Sequence, residues 1–270
     1  MAPYLSLSDQ RRLRITLPDI DVQNSVVRLL GALDGKIKSN VLAIRAANEL
    51  AGAIFEAIFE QQEPVVLAPL GDLADVVDCL HSQKPQFVEA GRRYLVLADI
   101  RDDSRLAPLP NYTISDEDYI HWTRRIEACE GDCLLTNVGR VGAVGQIPRG
   151  ATAAIGRNMT AIRGRRACPP AYLVEALRAA TVRREIDVKT DHGTVMSALN
   201  VRAIPTLQVP AGNVQDRQNF QERVSGLHEL QDQLLQENAD LAITRDTLLP
   251  KLMSGEIRVR EAERIVEDAT

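Results

Sequence analysis

The sequence predicts an α/β domain set between two long helices that pair as a coiled coil. Two series of ten positions advance in alternating steps of four and three residues. A strand–proline–helix unit occurs twice, 192 residues apart (Pro18 and Pro210). The stretch between the two copies occurs once and alternates β-rich runs with turn signals.

Residues 1–21 predict a strand and a rigid turn. Leu13, Ile15 and Leu17 alternate ahead of Pro18, and the same signature returns at Leu207 and Val209 ahead of Pro210. Leu17-Pro18 with Val22-Gln23 matches Val209-Pro210 with Val214-Gln215, which makes the unit an internal repeat.

Residues 22–62 form the first predicted coil helix. Its seam is Val26, Leu30, Leu33, Ile37, Asn40, Ile44, Ala47, Ala51, Ile54 and Ile58. A mean spacing of about 3.5 residues marks a coiled-coil seam rather than a general amphipathic face. Residues 206–255 form the second, with Phe220, Val224, Leu227, Gln231, Leu234, Asn238, Leu241, Arg245, Leu248 and Leu252 on its seam. Pro250 predicts a kink or an end just before Leu252. Residues 256–270 are left as a tail.

The two Asn set the register. Packed antiparallel and flush, the fifth position of one series meets the sixth of the other, so Asn40 faces Asn238 within or between chains. Ala47 then faces Gln231, leaving room for the amide, and Leu33 faces Arg245. A polar residue on a seam costs stability and specifies alignment.

Residues 63–205 predict the α/β domain. Strand-like runs are 65–67, 94–97, 132–136, 140–146 and 160–163, and helix-like ones 115–125 and 170–181, where Pro169 and Pro170 suit a first turn. Gly139 and Gly142 mark a turn between two strands; no Lys-Ser/Thr follows as in a P-loop.

Charge narrows the function. The chain carries 32 basic and 37 acidic residues, yet positions 140–191 hold ten Arg/Lys against four Asp/Glu, net +6 in a chain of net −5. Any phosphate-contacting surface is therefore local. Aromatics at 4% argue against a base-stacking platform. Four Cys and no apolar run of membrane-spanning length predict a reduced, cytoplasmic chain with no membrane segment.

No catalytic constellation emerges. Cys168-Pro169-Pro170-Ala171-Tyr172 faintly echoes an amino-methyltransferase motif, but Cys accepts a hydrogen bond poorly and no Gly-rich cofactor loop precedes it. Cys129 and Cys133, with three residues between them, match no common zinc knuckle, and metal ligation is not expected.

The assembled pieces resemble the specificity (S) subunit of type I restriction–modification systems. The resemblance rests on the repeated unit, the heptad helices, and Leu248-Leu249-Pro250-Lys251-Leu252-Met253-Ser254-Gly255-Glu256. It continues in Pro69-Leu70-Gly71-Asp72, in Gly131-Asp132-Cys133-Leu134-Leu135-Thr136, in Gly156-Arg157-Asn158 and in Gly193 to Asn200. It implies that 63–205 is a target recognition domain reading half of a bipartite site in double-stranded DNA. The family's subunit usually has two such domains; this chain has one, so a homodimer would restore the set.

The resemblance implies a non-catalytic chain that recruits a methyltransferase (M) subunit and, in a full complex, a restriction/translocase (R) subunit. No cofactor is implied here: S-adenosylmethionine belongs to the former, ATP and Mg to the latter. Its contact loops map to 80–84, 136–140, 156–158 and 190–197. Within them Ser82, Lys84, Asn137, Arg140, Arg157, Asn158, Lys189 and His192 are the expected DNA contacts, with Arg163, Arg165 and Arg166 as phosphate contacts. The alternative is a DNA-binding coiled-coil adaptor of another phage-defence assembly.

Overall fold

The computed structural model of the chain describes residues 6–14, 17–193 and 196–269. Its helices are α1 (Leu7–Gln10), α2 (Ile20–Phe55), α3 (Leu70–Leu73), α4 (Asp116–Trp122), α5 (Pro170–Arg178), α6 (Ala180–Lys189), α7 (Val214–Ser254) and α8 (Val259–Ala269). The strands are β1 (Leu67–Pro69), β2 (Ala74–Asp78), β3 (Phe87–Val88), β4 (Arg92–Leu95), β5 (Tyr112–Ile114), β6 (Ala128–Cys129) and β7 (Cys133–Thr136). They continue as β8 (Val144–Gln146), β9 (Thr152–Ile155), β10 (Met159–Gly164), β11 (Thr190–His192), β12 (Ser197–Leu199) and β13 (Gln208–Pro210). The chain divides into one unit of residues 1–40 with 237–270 and another of 41–236.

The first unit holds the start of α2, the end of α7, and α8. Asp19 begins α2 by accepting the Val22 N–H at 2.9 Å. Seam residues Val26, Leu248 and Leu252 bury together with Ala262 of α8. Arg245 Nη1 reaches Asp34 Oδ1 at 2.8 Å. Numbers rise along one helix as they fall along the other, so the pair is antiparallel.

Pro250 sits inside α7, four residues before its end, instead of terminating it. Proline removes one N–H from the ladder, and burial of Leu248 and Leu252 on either side holds this last turn in place. The expected N-terminal strand is likewise absent among the described residues. Residues 7–10 are helical, Leu13 and Leu17 are exposed, and Ile15 lies outside the described residues. The second copy of the unit does form a strand because β13 has a partner, pairing antiparallel with β1. A lone strand would leave its ladder groups unpaired.

The second unit contains the α/β domain. Its four-stranded sheet has the order β2-β10-β7-β8, antiparallel throughout. A five-stranded sheet, β3-β5-β4-β9-β6, is antiparallel except for β4 with β9. Phe55 and Phe59 pack with Tyr172 of α5 and Phe220 of α7, with centroids 4.8–5.9 Å apart. Each such ring pair adds about 0.5–1.5 kcal/mol beyond its buried area. Tyr172 Oη also donates to Pro210 O at 2.7 Å, tying α5 to the end of β13.

The run 140–146 is strand only from Val144, because Gly139 and Gly142 both sit at φ +80° and turn the chain before it. The helix expected over 170–181 breaks at Ala179, whose ψ of 142° ends α5 and lets α6 begin. Among the described residues no helix is long and apolar enough to cross a membrane.

Candidate nucleic-acid interface

Register in the four-stranded sheet brings the predicted loops to one end. Asp78 pairs with Thr160, Met159 with Thr136, and Leu135 with Val144. The segments leaving that end are the one after β2, the 137–143 turn, and the 156–158 turn before β10. The β11–β12 hairpin docks onto the 137–143 turn: Gly139 N–H donates to Ser197 O at 3.0 Å, and Leu199 N–H to Asn137 O at 2.8 Å. Asn137 N–H donates in turn to Asn158 O at 2.9 Å, and the Arg157 guanidinium donates to Ser82 O. All four segments that the sequence singled out are thus neighbours.

Local chemistry shapes the turn. Thr136 Oγ1 accepts the Ala143 N–H at 2.9 Å and donates to Arg140 O. A Cβ on Gly142 would stand 3.2 Å from Ile186 Cγ2, so the left-handed glycine also admits α6. Between turn, hairpin and α6 lies an open cleft of about 340 Å³, lined by Arg140, Arg183, Asp187 and His192 among others.

The side chains differ in what they can do. Arg140 is half exposed at the rim, with Nη2 on Asp102 Oδ1 at 2.5 Å and Nη1 on Ile100 O at 2.7 Å. His192 Nε2 stands 3.5 Å from Asp187 Oδ1. Lys189 is turned to Glu185 and Thr206, each at 2.9 Å. Ser82 Oγ meets His121 Nε2 at 3.0 Å, and Lys84 Nζ sits 4.7 Å from the Phe87 ring centroid. Asn158 takes φ +68°, a conformation in which Asn is favoured. Arg157 is exposed.

Asn137 and the three arginines expected at phosphates stand apart from the loop side chains. Asn137 is 5% exposed: its side chain stays inside while its backbone bridges Asn158 and Leu199. Arg163, Arg165 and Arg166 lie toward the opposite end of the sheet, where Gly164 pairs with Ala74. Arg163 is held by Asp132 through Nε at 2.8 Å and Nη2 at 2.6 Å, and Arg165 by Asp75 at 2.8 and 3.0 Å. The hydrogen bond to Asp132 raises the Arg163 pKa further, as a fixed charge pair does. These arginines fasten the sheet, apart from Arg166, which is exposed.

Arg183 was missed by the sequence reading. It is exposed on α6 and lines the cleft beside Arg140 and His192. Asp102 was missed too, since it lies 38 residues from the arginine it holds. Burial pushes Cys168 up to about 12 and Cys133 well above its ordinary value. Among the described residues, the one group of three or more His, Cys, Asp and Glu side chains close enough to share an ion is Asp78, Cys79 and His81.

The architecture is an α/β domain whose loops converge at one sheet end, placed in the chain between two long helices. No protein-family model matches the sequence, and no curated protein does. Solved structures do match. The fold is that of the S subunit of a type I restriction–modification system from M. genitalium, with TM-score 0.61 and 15% identity over 87% of this chain and 61% of that one. The HsdS subunit from Thermoanaerobacter tengcongensis follows with TM-score 0.45 and 18% identity, over 95% of this chain and 64% of that one. A structure of the type I R-M system has TM-score 0.47 and 17% identity, over 93% and 64%. The chain therefore spans about 61% of the M. genitalium subunit's length.

Proposed function

We propose that this chain is a non-catalytic DNA specificity subunit of a type I restriction–modification complex, reading one half of a bipartite site and recruiting the methyltransferase subunit. The observation that carries the reading is the convergence of the four loops, with Arg140, Arg157, Asn158, Ser82, Lys84, Lys189 and His192, at one end of one sheet. Base edges are read by side chains on such loops, while nearby cations position the backbone. Arg183 joins that set.

One reader between two coil helices favours a homodimer with closed two-fold symmetry, which demands a palindromic site with an unspecified spacer. The methyltransferase partner supplies S-adenosylmethionine chemistry, and an R subunit supplies ATP-driven translocation. The chain alone binds duplex weakly, because a stretch of net +6 on an acidic protein releases few counterions.

The test is to express the chain with an adenine-specific type I methyltransferase subunit and map methylated adenines in cellular DNA. A palindromic bipartite motif that appears only with this chain supports the reading. An asymmetric motif rejects the homodimer, and no new motif from a co-purifying pair rejects the function.

A further inference from the structure

Two of the basic side chains that line the cleft, Arg140 and His192, stand beside carboxylates. Arg140 Nη2 is 2.5 Å from Asp102 Oδ1, and His192 Nε2 is 3.5 Å from Asp187 Oδ1. The Asp102 side chain is 98% exposed. An ion pair so open to water holds little of the fold together. The loop that presents it is nevertheless built with care. Ser104 takes φ +61°, Arg101 N–H donates to Arg105 O at 2.9 Å, and Ser104 O accepts from Gln146 N–H at 3.2 Å. Arg105, 2% exposed, anchors the loop through Nε to Gln231 Oε1 at 3.1 Å and Nη1 to Gln146 Oε1 at 3.4 Å. A rigid loop thus delivers one exposed carboxylate to one arginine of the interface.

We propose that Asp102 is an anion placeholder that sets discrimination: it occupies on Arg140 the position that an acceptor oxygen of bound DNA takes. The identity of the ligand rests on the DNA reading above; the exchange of carboxylate for another anion does not. A phosphate met in passing offers Arg140 little beyond what Asp102 already supplies, so non-cognate duplex gains no contact there. A cognate base edge, presented together with the other loop contacts, offers a bidentate pair and displaces the carboxylate. Asp102 therefore lowers affinity for any duplex and raises the ratio of specific to non-specific binding.

The test compares wild type, Asp102→Asn, Arg140→Gln and the double variant as full chains, against a random-sequence duplex and, separately, inorganic pyrophosphate. D102N is expected to bind both about 2- to 5-fold more tightly than wild type, the scale of one exposed charge pair. In the R140Q background that gain disappears. A gain that persists without Arg140 makes Asp102 a general repulsive charge and overturns the proposal, as does the absence of any gain with pyrophosphate. A gain with pyrophosphate but none with duplex supports the placeholder and refutes the DNA reading. Thermal unfolding of D102N should match wild type; a lowered midpoint would assign Asp102 to the fold and overturn its role in binding.

Discussion

Asn40 Nδ2 donates to Asn238 Oδ1 at 3.0 Å and to Glu237 Oε2 at 2.7 Å, across the seam of the two long helices. Asn40 is 4% exposed, so without these acceptors its amide would be buried and unpaired. Lys36 Nζ lies 3.2 Å from Glu237 Oε1, which places the carboxylate between a lysine and an amide on the facing helix. Directional bonds of this kind exist in one alignment only, whereas apolar seam contacts tolerate a slip of a heptad.

Replacing Asn238 with Leu leaves one donor of a buried amide without its acceptor and should cost about 1–3 kcal/mol. Replacing Asn40 and Asn238 together by Leu should recover most of that loss while admitting alternative alignments. Urea unfolding reads the first effect. Sedimentation of the double variant reads the second, as a mixture of oligomers where wild type gives one species.

Arg105 is a buried cation of the second unit, bonded to Gln231 and Gln146 and 3.7 Å from Asp232. Arg105→Met keeps the stem and strips the charge, leaving two amide oxygens and a carboxylate uncompensated, at a cost of about 3 kcal/mol. Arg165→Met breaks a pair whose partners are both more than half exposed, so its cost should stay below about 1 kcal/mol. Equal losses in the two variants would show that burial does not decide the energetics here.

The coil is legible in the sequence because a seam repeats and its polar members stand out against it. All nine seam positions within α2, and Ile58 in the turn that follows it, are buried or half-buried. On α7, His228 and Leu235 are buried as well, because that helix also packs against the α/β domain, and a one-sided repeat does not encode a second face. The loops of the interface are legible through Gly139, Gly142 and the turn chemistry around Asn158. What each side chain does there is not, because its partner is remote in sequence: Asp102 for Arg140, and Asp132, 31 residues away, for Arg163. Burial of Asn137 follows from a hairpin more than fifty residues downstream docking over it, which local pattern does not reveal.

Acid should destabilise the second unit through His228 and Glu175, whose side chains meet at 3.0 Å. Burial holds His228 below its ordinary 6.5, against the opposing pull of Glu175. Burial pushes Glu175 up, but the His228 hydrogen bond and the charges of Arg178 and Arg105 outweigh it and hold the carboxyl below its ordinary 4.5. A histidine depressed by folding takes its proton more readily when unfolded, so stability falls as pH drops below 6.5. Glu175 contributes stability present above 4.5 and lost as pH falls through its lower folded value. The urea midpoint should therefore be lower at about pH 5.5 than at about pH 7.5. His228→Gln should flatten that difference, and a decline that survives in the variant would place its source elsewhere.

Arginines on the converging loops are held differently from the one that braces the sheet. Arg140 and Arg157 sit on the loops gathered at one sheet end, tied there by single contacts to Asp102, Ile100 and Ser82 that an incoming acceptor can replace. Arg163 sits further along β10, where Asp132, itself 3% exposed in its side chain, accepts two of its hydrogen bonds. Strands rise about 3.3 Å per residue, so the four residues from Met159 to Arg163 carry the guanidinium away from the converging loops. Arg140→Ala or Arg157→Ala should cost about 1–3 kcal/mol at the cognate site if bidentate to a base, and should relax the methylated motif at one position. Arg163→Ala should instead lower the unfolding midpoint, since Asp132 is left buried without its counter-charge, and at temperatures where the variant is folded the motif should not change. Motif sequencing beside thermal unfolding of the three variants distinguishes the roles. A relaxed motif from R163A with an unaltered midpoint would move the reading surface to the other end of the sheet.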